Sequence, residues 1–343
     1  MAAQAGYGRV LYMQDEKIDI LSLFPEEIDV EPAYRKKQVF SWLGKRGAAS
    51  FGQMTDLPKT LRAALAGQYS FAVPQELRRQ VSADGTQKIL WELADGERVE
   101  TALMRYHHGT SVCLSTQAGC RQGCKFCASG SHGFSRDLTA GEMLSQALYC
   151  GMDFGHIVLM GTGEPLDNFD QTVRFIRLIS HPDGRNLSPR HISLSTCGDV
   201  PGILKLAESG LPVTLSVSLH ASDDETRDRL MPINRKYPIS GLLDACRKYF
   251  DKTARRISYE YVIIEGFNDS PEDARRLAVL LKGAPAHVNI IPYNPVPGKP
   301  FRAPQADAVR RFMRELGGIQ ATVRRTLGSD IAAACGQMRS KGC

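Results

Sequence analysis

From residue 111 to the C-terminal region, short apolar segments alternate with longer amphipathic ones, and this alternation constrains the fold more than any other feature. An apolar run of about four to eight residues is typical of a buried strand, whereas the spacing in 139–152 and 271–281 is typical of a helix. Strands that alternate with helices predict parallel βαβ units and an α/β fold. The predicted strands are 111–116, 156–160, 191–195, 213–219, 257–264, 288–292 and 322–326.

The segment before this region has a different pattern. Residues 18–69 have a helical pattern, and the five residues Met54-Thr-Asp-Leu-Pro58 predict a helix start with Thr55 or Asp56 as its cap and Pro58 in the first turn. Two Asp-Gly turns at 84–85 and 95–96 bracket a strand with Ile89, Trp91 and Leu93 on one face. A second strand at 99–104 would complete a hairpin.

These patterns predict four parts of the chain. We expect a disordered leader at 1–16, a small helical accessory domain at 17–80, a β-hairpin linker at 81–105 and a core domain at 106–343.

Composition excludes some classes of protein and permits others. The chain has 343 residues, and no run of about 18 apolar residues that would span a membrane. Its nine cysteines are odd in number in a large chain, which favours a reducing cytoplasm and metal-bound or catalytic thiols over disulfides. The net charge of +6 permits binding to nucleic acid without requiring it. Basic residues that could hold phosphates are Arg35, Lys36, Lys37, Lys45 and Arg46, and then Arg310, Arg311, Arg314, Arg324 and Arg325.

Three cysteines lie on one short loop after the first strand of the alternating region. Cys120, Cys124 and Cys127 have the spacing C-x3-C-x2-C. Three thiolates can bind three irons of a [4Fe–4S] cluster and leave the fourth iron open to a small molecule. A structural zinc site is the alternative, because His107, His108 or His132 could complete a Cys3His set. The aromatic Phe126 and the lack of a second C-x-x-C favour iron–sulfur.

Further motifs keep their order along residues 17–338. In this sequence they read Val112-Cys113-Leu-Ser-Thr-Gln-Ala-Gly-Cys120, Gly161-Thr-Gly-Glu-Pro-Leu-Asp-Asn168, Leu194-Ser-Thr-Cys-Gly198, Ser218-Leu-His220 and Ala334-Cys-Gly-Gln337. Together they resemble the RlmN/Cfr family of radical S-adenosylmethionine (SAM) RNA methyltransferases. The resemblance implies a partial (β/α)6 barrel joined to a small helical accessory domain, and a [4Fe–4S] cluster and SAM as cofactors.

The resemblance also implies an activity. The branch that matches best methylates adenine C2 in 23S ribosomal RNA, at the peptidyl transferase centre, and in tRNA, at the adenosine 3′ to the anticodon. In that family one SAM methylates a cysteine, and a second SAM yields a radical that activates this methyl group for addition to the base. The rival Cfr-type branch methylates adenine C8 with the same cysteines, and a zinc-containing RNA-binding protein without enzymatic activity is a rival of another class.

The resemblance assigns roles to residues of this chain. Cys335 matches the methyl carrier, Cys113 the resolving thiol, and Glu100 the carboxylate proposed as proton acceptor, although Cys113 could also take that proton. The residues that match SAM contacts are Gly163, Glu164, Ser195, Ser218, Leu219 and His220.

One family contact stays unassigned. The family has an asparagine near SAM in the loop before the last helix, whereas residues 301–307 contain none, so that Gln305 or a backbone group would have to replace it. The expected partners are the two RNAs and an electron donor such as flavodoxin with its reductase, and the expected oligomeric state is a monomer.

Overall fold

The computed structural model describes residues 17–107, 109–131 and 133–338, so the predicted leader at 1–16 lies outside the described residues. The α-helices are Tyr34–Gly44 (α1), Lys59–Gln68 (α2), Ala140–Leu148 (α3), Phe169–Ser180 (α4), Val200–Glu208 (α5), Asp224–Leu230 (α6), Ile239–Thr253 (α7), Pro271–Leu280 (α8) and Ala306–Glu315 (α9). The strands are Ile18–Asp19 (β1), Tyr69–Ser70 (β2), Gln75–Val81 (β3), Gln87–Glu92 (β4), Arg98–Tyr106 (β5), Gly109–Cys113 (β6), Gln117–Gly119 (β7), Phe134–Asp137 (β8), His156–Leu159 (β9), Ile192–Thr196 (β10), Thr214–Ser218 (β11), Ile257–Ile263 (β12), Ala286–Pro292 (β13) and Ala321–Val323 (β14).

A ten-stranded sheet organises the molecule, in the order β14-β13-β12-β11-β10-β9-β6-β5-β4-β3. Strands β6 and β9 to β14 pair in parallel, and each strand predicted from the alternation is present. Their centres are apolar and buried, as with Val112, Leu194 and Ile290. The α/β prediction is therefore confirmed, and the carboxyl ends of the parallel strands lie at one edge of the sheet.

The predicted hairpin is part of this same sheet. Strands β4 and β5 are antiparallel, and β5 pairs with β6 of the parallel region. Ile89, Trp91 and Leu93 are all buried, as their alternation predicts. The structure adds β3 at the edge, a largely polar strand in which Val81 is 61% exposed, so no apolar alternation marks it in the sequence.

The N-terminal helices follow the predicted pattern, with one difference at the start of α2. This helix begins at Lys59, and Pro58 precedes it with φ −53° and ψ 143°. Asp56 does not cap the helix, because its carboxylate accepts hydrogen bonds from Trp42 Nε1 at 2.5 Å and from Arg46 at 3.3 Å. None of the described helices combines the length and the apolar character that crossing a bilayer requires.

Candidate active site

A cavity lies beyond the carboxyl ends of the parallel strands, where enzymes built from βα units carry their functional groups. Its lining brings together most of the residues that the sequence analysis assigned to a site. They are Cys120, Cys124, Cys127, Gly163, Glu164, Ser195, Ser218, His220 and Cys335.

Backbone hydrogen bonds fix the loop that carries the three cysteines. The Cys120 amide donates to the Gly133 carbonyl at 2.9 Å, and the Lys125 amide donates to the Leu230 carbonyl at 2.9 Å. Gly119, just before the loop, has φ +78°, and a Cβ there would lie 2.0 Å from the Gly133 oxygen. The loop conformation is thus set by the main chain, while the three thiols remain free.

The chemistry of these thiols fits a cluster. Burial raises the pKa of Cys120 to about 12 and also raises the pKa of Cys124, so the thiolates need a cation to compensate them. Coordination to iron provides that compensation, because a metal-bound thiol is deprotonated. A structural zinc ion needs four ligands, whereas this loop supplies three.

The histidines considered for a zinc site do not change this conclusion. His107 lies in the turn between β5 and β6, at the end of β6 opposite to Cys113. His108 and His132 lie outside the described residues.

Gly163 is required by packing. It has φ +114°, and a Cβ would lie 2.7 Å from Gln117 Cβ and 2.8 Å from the Gln117 amide nitrogen. The turn after β9 can therefore pass close to the segment that leads into the cysteine loop only if this residue is glycine.

Glu164 connects the loops after β9 and β10. Its Oε2 accepts a hydrogen bond from the Cys197 amide at 2.7 Å and its Oε1 accepts one from the Leu166 amide at 3.0 Å. Burial raises the pKa of Glu164 to about 7 despite these bonds. The carboxylate thus holds the cavity wall in place, and Glu164 itself lines the cavity.

His220 is a neutral imidazole with a defined tautomer. Its Nδ1 accepts a hydrogen bond from the Val262 amide at 3.0 Å, so Nε2 carries the proton. Burial, followed by the charge of Arg227, lowers its pKa to about 3. The neighbouring Leu219 does not reach the cavity: its side chain is fully buried and its amide donates to the Glu260 carbonyl.

Arg227 is a structural residue of the site that the sequence analysis missed. It is fully buried, and its guanidinium donates to the carbonyls of Cys197 at 2.7 Å, Ser218 at 3.1 Å and Leu219 at 3.0 Å. The arginine ties together the ends of β10 and β11. In the sequence it looks like an ordinary basic residue of a polar helix, so no pattern marks it.

A second, smaller cavity adjoins the first. It contains Cys113 and Cys335 among mainly apolar side chains such as Met104 and Met160. Cys335 lines both cavities. Burial raises the pKa of Cys113 to about 12, and the charge of Cys335 raises it further. The structure therefore brings together the two thiols that the resemblance pairs.

Glu100 lies beneath this region but lines neither cavity. Its side chain is buried, and its carboxylate lies 3.0 Å from Lys88 Nζ. Lys88 also donates to the carbonyl of Ala332 at 3.2 Å, which ties the pair to the C-terminal segment.

The loop between β13 and α9 corrects one expectation. The loop begins at Tyr293, upstream of the predicted bounds 301–307, and it contains Asn294. This side chain is buried, lines the smaller cavity and donates to the Cys335 carbonyl at 3.3 Å. Gln305 is exposed at the start of α9, so it does not replace an asparagine at the site.

Comparisons with known proteins agree with this architecture. Residues 114–278 match the model of the radical SAM superfamily. Residues 17–70 match the model of the N-terminal domain of a ribosomal RNA large subunit methyltransferase.

Whole-chain relatives are also similar. A probable dual-specificity RNA methyltransferase RlmN of Symbiobacterium thermophilum is 49% identical, over 91% of this chain and 86% of the relative. One of Lachnoclostridium phytofermentans, with the same description, is 46% identical over 94% of this chain and 95% of the relative. The crystal structure of a radical SAM methyltransferase from Sphaerobacter thermophilus superimposes with a TM-score of 0.91 at 43% identity, and covers 94% of this chain and all of that chain.

Proposed function

Since the chain belongs to the RlmN family of radical SAM RNA methyltransferases, we propose that it methylates C2 of one adenosine in 23S ribosomal RNA, at the peptidyl transferase centre, and of the adenosine 3′ to the anticodon in tRNA. The observation that carries the proposal is the position of Cys335. It lines the cavity that contains the three loop cysteines, and it also lines the cavity that contains Cys113. A methyl carrier needs access to both its methyl source and its resolving thiol.

The proposal assigns the cofactors to residues of the larger cavity. Cys120, Cys124 and Cys127 would hold the [4Fe–4S] cluster, and SAM would lie against Gly163, Glu164, Ser195, Ser218 and His220. When bound, the cluster supplies an electron, and SAM supplies both the methyl group and the radical chemistry. The neutral His220 and the partly protonated Glu164 give this wall a hydrogen-bonding character without a strong fixed charge.

The chain's own thiols perform the remaining chemistry in this proposal. Cys335 Sγ would accept the methyl group and present it to the base. Cys113 would attack Cys335 Sγ and form a disulfide as the bond between this sulfur and the transferred carbon breaks. The released carbon takes a proton, the methylated RNA leaves, and two electrons from the electron donor would then reduce the disulfide. Cys113 lines the smaller cavity and Glu100 does not, which favours Cys113 as the group that takes the C2 proton.

RNA binding is assigned to the N-terminal part and to basic surface residues. Residues 17–80 would form the accessory domain, in which Lys37, Lys45 and Arg46 are exposed and could bind phosphates. The target adenine must leave its stack to reach the cavity. Flavodoxin with its reductase is the proposed electron donor, and a monomer the proposed state.

Mass spectrometry of nucleosides tests this function. Ribosomal RNA and tRNA would be isolated from a host that lacks its own C2 methyltransferase and expresses either this gene, its Cys335→Ala variant or an empty vector. We expect 2-methyladenosine only with the unaltered gene. A gene-dependent 8-methyladenosine would reassign the protein to Cfr-type chemistry. If neither methyladenosine formed, the proposal would be contradicted.

A further inference from the structure

Arg324 lies at the junction of the two cavities. It directly follows β14, and its amide donates to the Ile290 carbonyl of β13 at 2.8 Å. Like Cys335, it lines both cavities. Its side chain is only 20% exposed, whereas the next residue, Arg325, is exposed.

The guanidinium is held by groups from other strands of the sheet. Its Nη1 lies 3.7 Å from Glu260 Oε2 on β12 and 3.3 Å from Met160 Sδ after β9. The other carboxylate oxygen of Glu260 accepts a hydrogen bond from Asn289 at 2.9 Å, whereas Oε2 has no hydrogen-bond partner among the described residues. Arg324 is therefore the counterion of a buried carboxylate, and the ion pair fixes its position.

The same guanidinium interacts electrostatically with both thiols. The pKa of Arg324 is raised, with the negative charge of Cys335 as the largest cause and with Glu260, Tyr106 and Cys113 contributing further. The charge of Arg324 in turn opposes the rise in the pKa of Cys113 that burial causes. The titratable groups around the two thiols thus include Tyr106 on β5, Glu260 on β12 and Arg324 itself.

We propose that Arg324 is a positioning residue whose fixed positive charge serves Cys335 and Cys113 in turn, stabilising the thiolate of each. This inference rests on the proposed function, in which Cys335 acts first as the acceptor of a methyl group and later as a partner in a disulfide. Each step needs a thiolate in a poorly solvated place: that of Cys335 when it accepts the methyl group, and that of Cys113 when it attacks Cys335 Sγ. Because the arginine lines both cavities, one cation can serve both steps.

A structural ion pair with Glu260 is the competing explanation. Such a pair stabilises the barrel end, and the loss of either partner would disturb the cavity in the same way. A charge that serves the thiols predicts opposite effects instead. Removing Arg324 lowers thiolate reactivity, whereas removing the charge of Glu260 leaves the arginine less neutralised and raises that reactivity.

The test measures alkylation of Cys335 by iodoacetamide in the full-length holoenzyme at pH 7, without SAM or RNA. Trypsin releases Cys335 in the peptide 326–339, which contains no other cysteine, so its alkylation rate can be followed by mass spectrometry. We expect Arg324→Gln to slow alkylation about tenfold, because the reacting thiolate loses the positive charge that stabilises it. Arg324→Lys should recover most of the rate.

Two further variants separate charge from structure. Arg311→Gln makes the same change in net charge at an exposed position on α9 that lines neither cavity, and it should leave the rate within about twofold of wild type, as expected for a solvent-screened charge. Glu260→Gln should accelerate alkylation. Slower alkylation in both Arg324→Gln and Glu260→Gln, or an unchanged rate in a folded Arg324→Gln protein, would overturn the inference.

The outcome is independent of RNA methylation. If no methyladenosine forms in cells but these rates differ as expected, the proposed function fails while the electrostatic role of Arg324 stands. If Arg324→Gln does not fold, the sign of the change in alkylation rate in Glu260→Gln still distinguishes a charge that serves the thiols from a structural ion pair.

Discussion

The two cavities that meet at Cys335 are built in different ways. The walls of the larger one are the ends of sheet strands and the turns after them, and they are held by backbone hydrogen bonds, as at Cys120 and Lys125, and by the buried side chains of Glu164 and Arg227. The smaller one is closed by the C-terminal segment 327–338, which contains one short 3-10 helix, Ser329–Ile331. Side chains tie this segment down: Asp84 accepts from the Gly328 amide at 2.8 Å, and Ser82 donates to Asp330 at 2.6 Å.

This difference indicates that the two cavities have different roles. The larger cavity has a rigid frame suited to holding cofactors in one geometry. The smaller cavity is covered by a segment outside the regular sheet. Individual hydrogen bonds, each worth about 1 kcal/mol, and the packing of Leu327, Ala333 and Met338 attach this segment.

The largest effect is expected from a change to the frame of the larger cavity. Cys124→Ala should remove the cluster and abolish gene-dependent 2-methyladenosine, because two thiolates cannot replace three. Iron and acid-labile sulfide content would be measured together with the nucleosides. Cys246→Ala, at a cysteine buried in α7, is the matched control and should keep both. A cluster retained in Cys124→Ala would mean that the ligand set is wrong.

Gly163→Ala tests how rigid that frame is. The new Cβ would lie 2.7 Å from Gln117 Cβ at a positive φ, so we expect the free energy of unfolding to fall by about 3 kcal/mol. Gly241→Ala, where nothing lies within 4 Å in helix α7, should instead be neutral or stabilising by up to about 1 kcal/mol. Urea unfolding measures the free energy of unfolding of both variants. Equal changes would show that the close approach of Gly163 to Gln117 does not restrict the side chain at this position.

Stability at mildly acidic pH should report on His220. Its folded-state pKa of about 3 lies below its unfolded value of 6.5, so the unfolded chain binds a proton first and stability falls as the pH falls below 6.5. His220→Asn keeps a hydrogen-bond acceptor for Val262 and tolerates the φ of 56°. Between pH 7.5 and 5.5 the wild type should lose about 1.4 kcal/mol relative to this variant. If the free energy of unfolding changes with pH in the same way in both proteins, His220 is protonated or solvated in the folded state.

The smallest expected effect belongs to the smaller cavity. Asn294→Ala removes the hydrogen bond to the Cys335 carbonyl and should lower the free energy of unfolding by about 0.5–1 kcal/mol. Gln305→Ala, on the exposed start of α9, is the control and should change nothing measurable. A loss of several kcal/mol in Asn294→Ala would contradict the view that single weak bonds attach this segment.

The contrast between the cavities also explains what the sequence could predict. Cys120 and Gly163 lie just after apolar strands and Ser195 lies near the carboxyl end of one, so motif and strand pattern together predict a shared edge, and the structure places all three in one cavity. Glu100 and Leu219 also belong to matched motifs, but they lie behind the cavity walls, because a motif does not show which way each side chain points.

Residues outside motifs could not be found in this way. Asn294 lies in a loop whose start was placed too late, and Arg324 stands beside Arg325 in a basic run that the sequence assigned to phosphate binding. Arg324 faces Glu260 and lines both cavities, whereas Arg325 is exposed and lines only the smaller one. Only the three-dimensional arrangement shows which of the two serves the site.

The most direct test of the central claim, that Cys335 serves both cavities, is to look for a covalent adduct between protein and RNA. Cys113→Ala and Cys335→Ala would be expressed in the host used for nucleoside analysis, and purified protein would be examined for RNA-linked species by denaturing gel electrophoresis and mass spectrometry. We predict that the adduct accumulates in Cys113→Ala, at Cys335, and is absent from Cys335→Ala. Normal turnover by Cys113→Ala without an adduct would contradict the account.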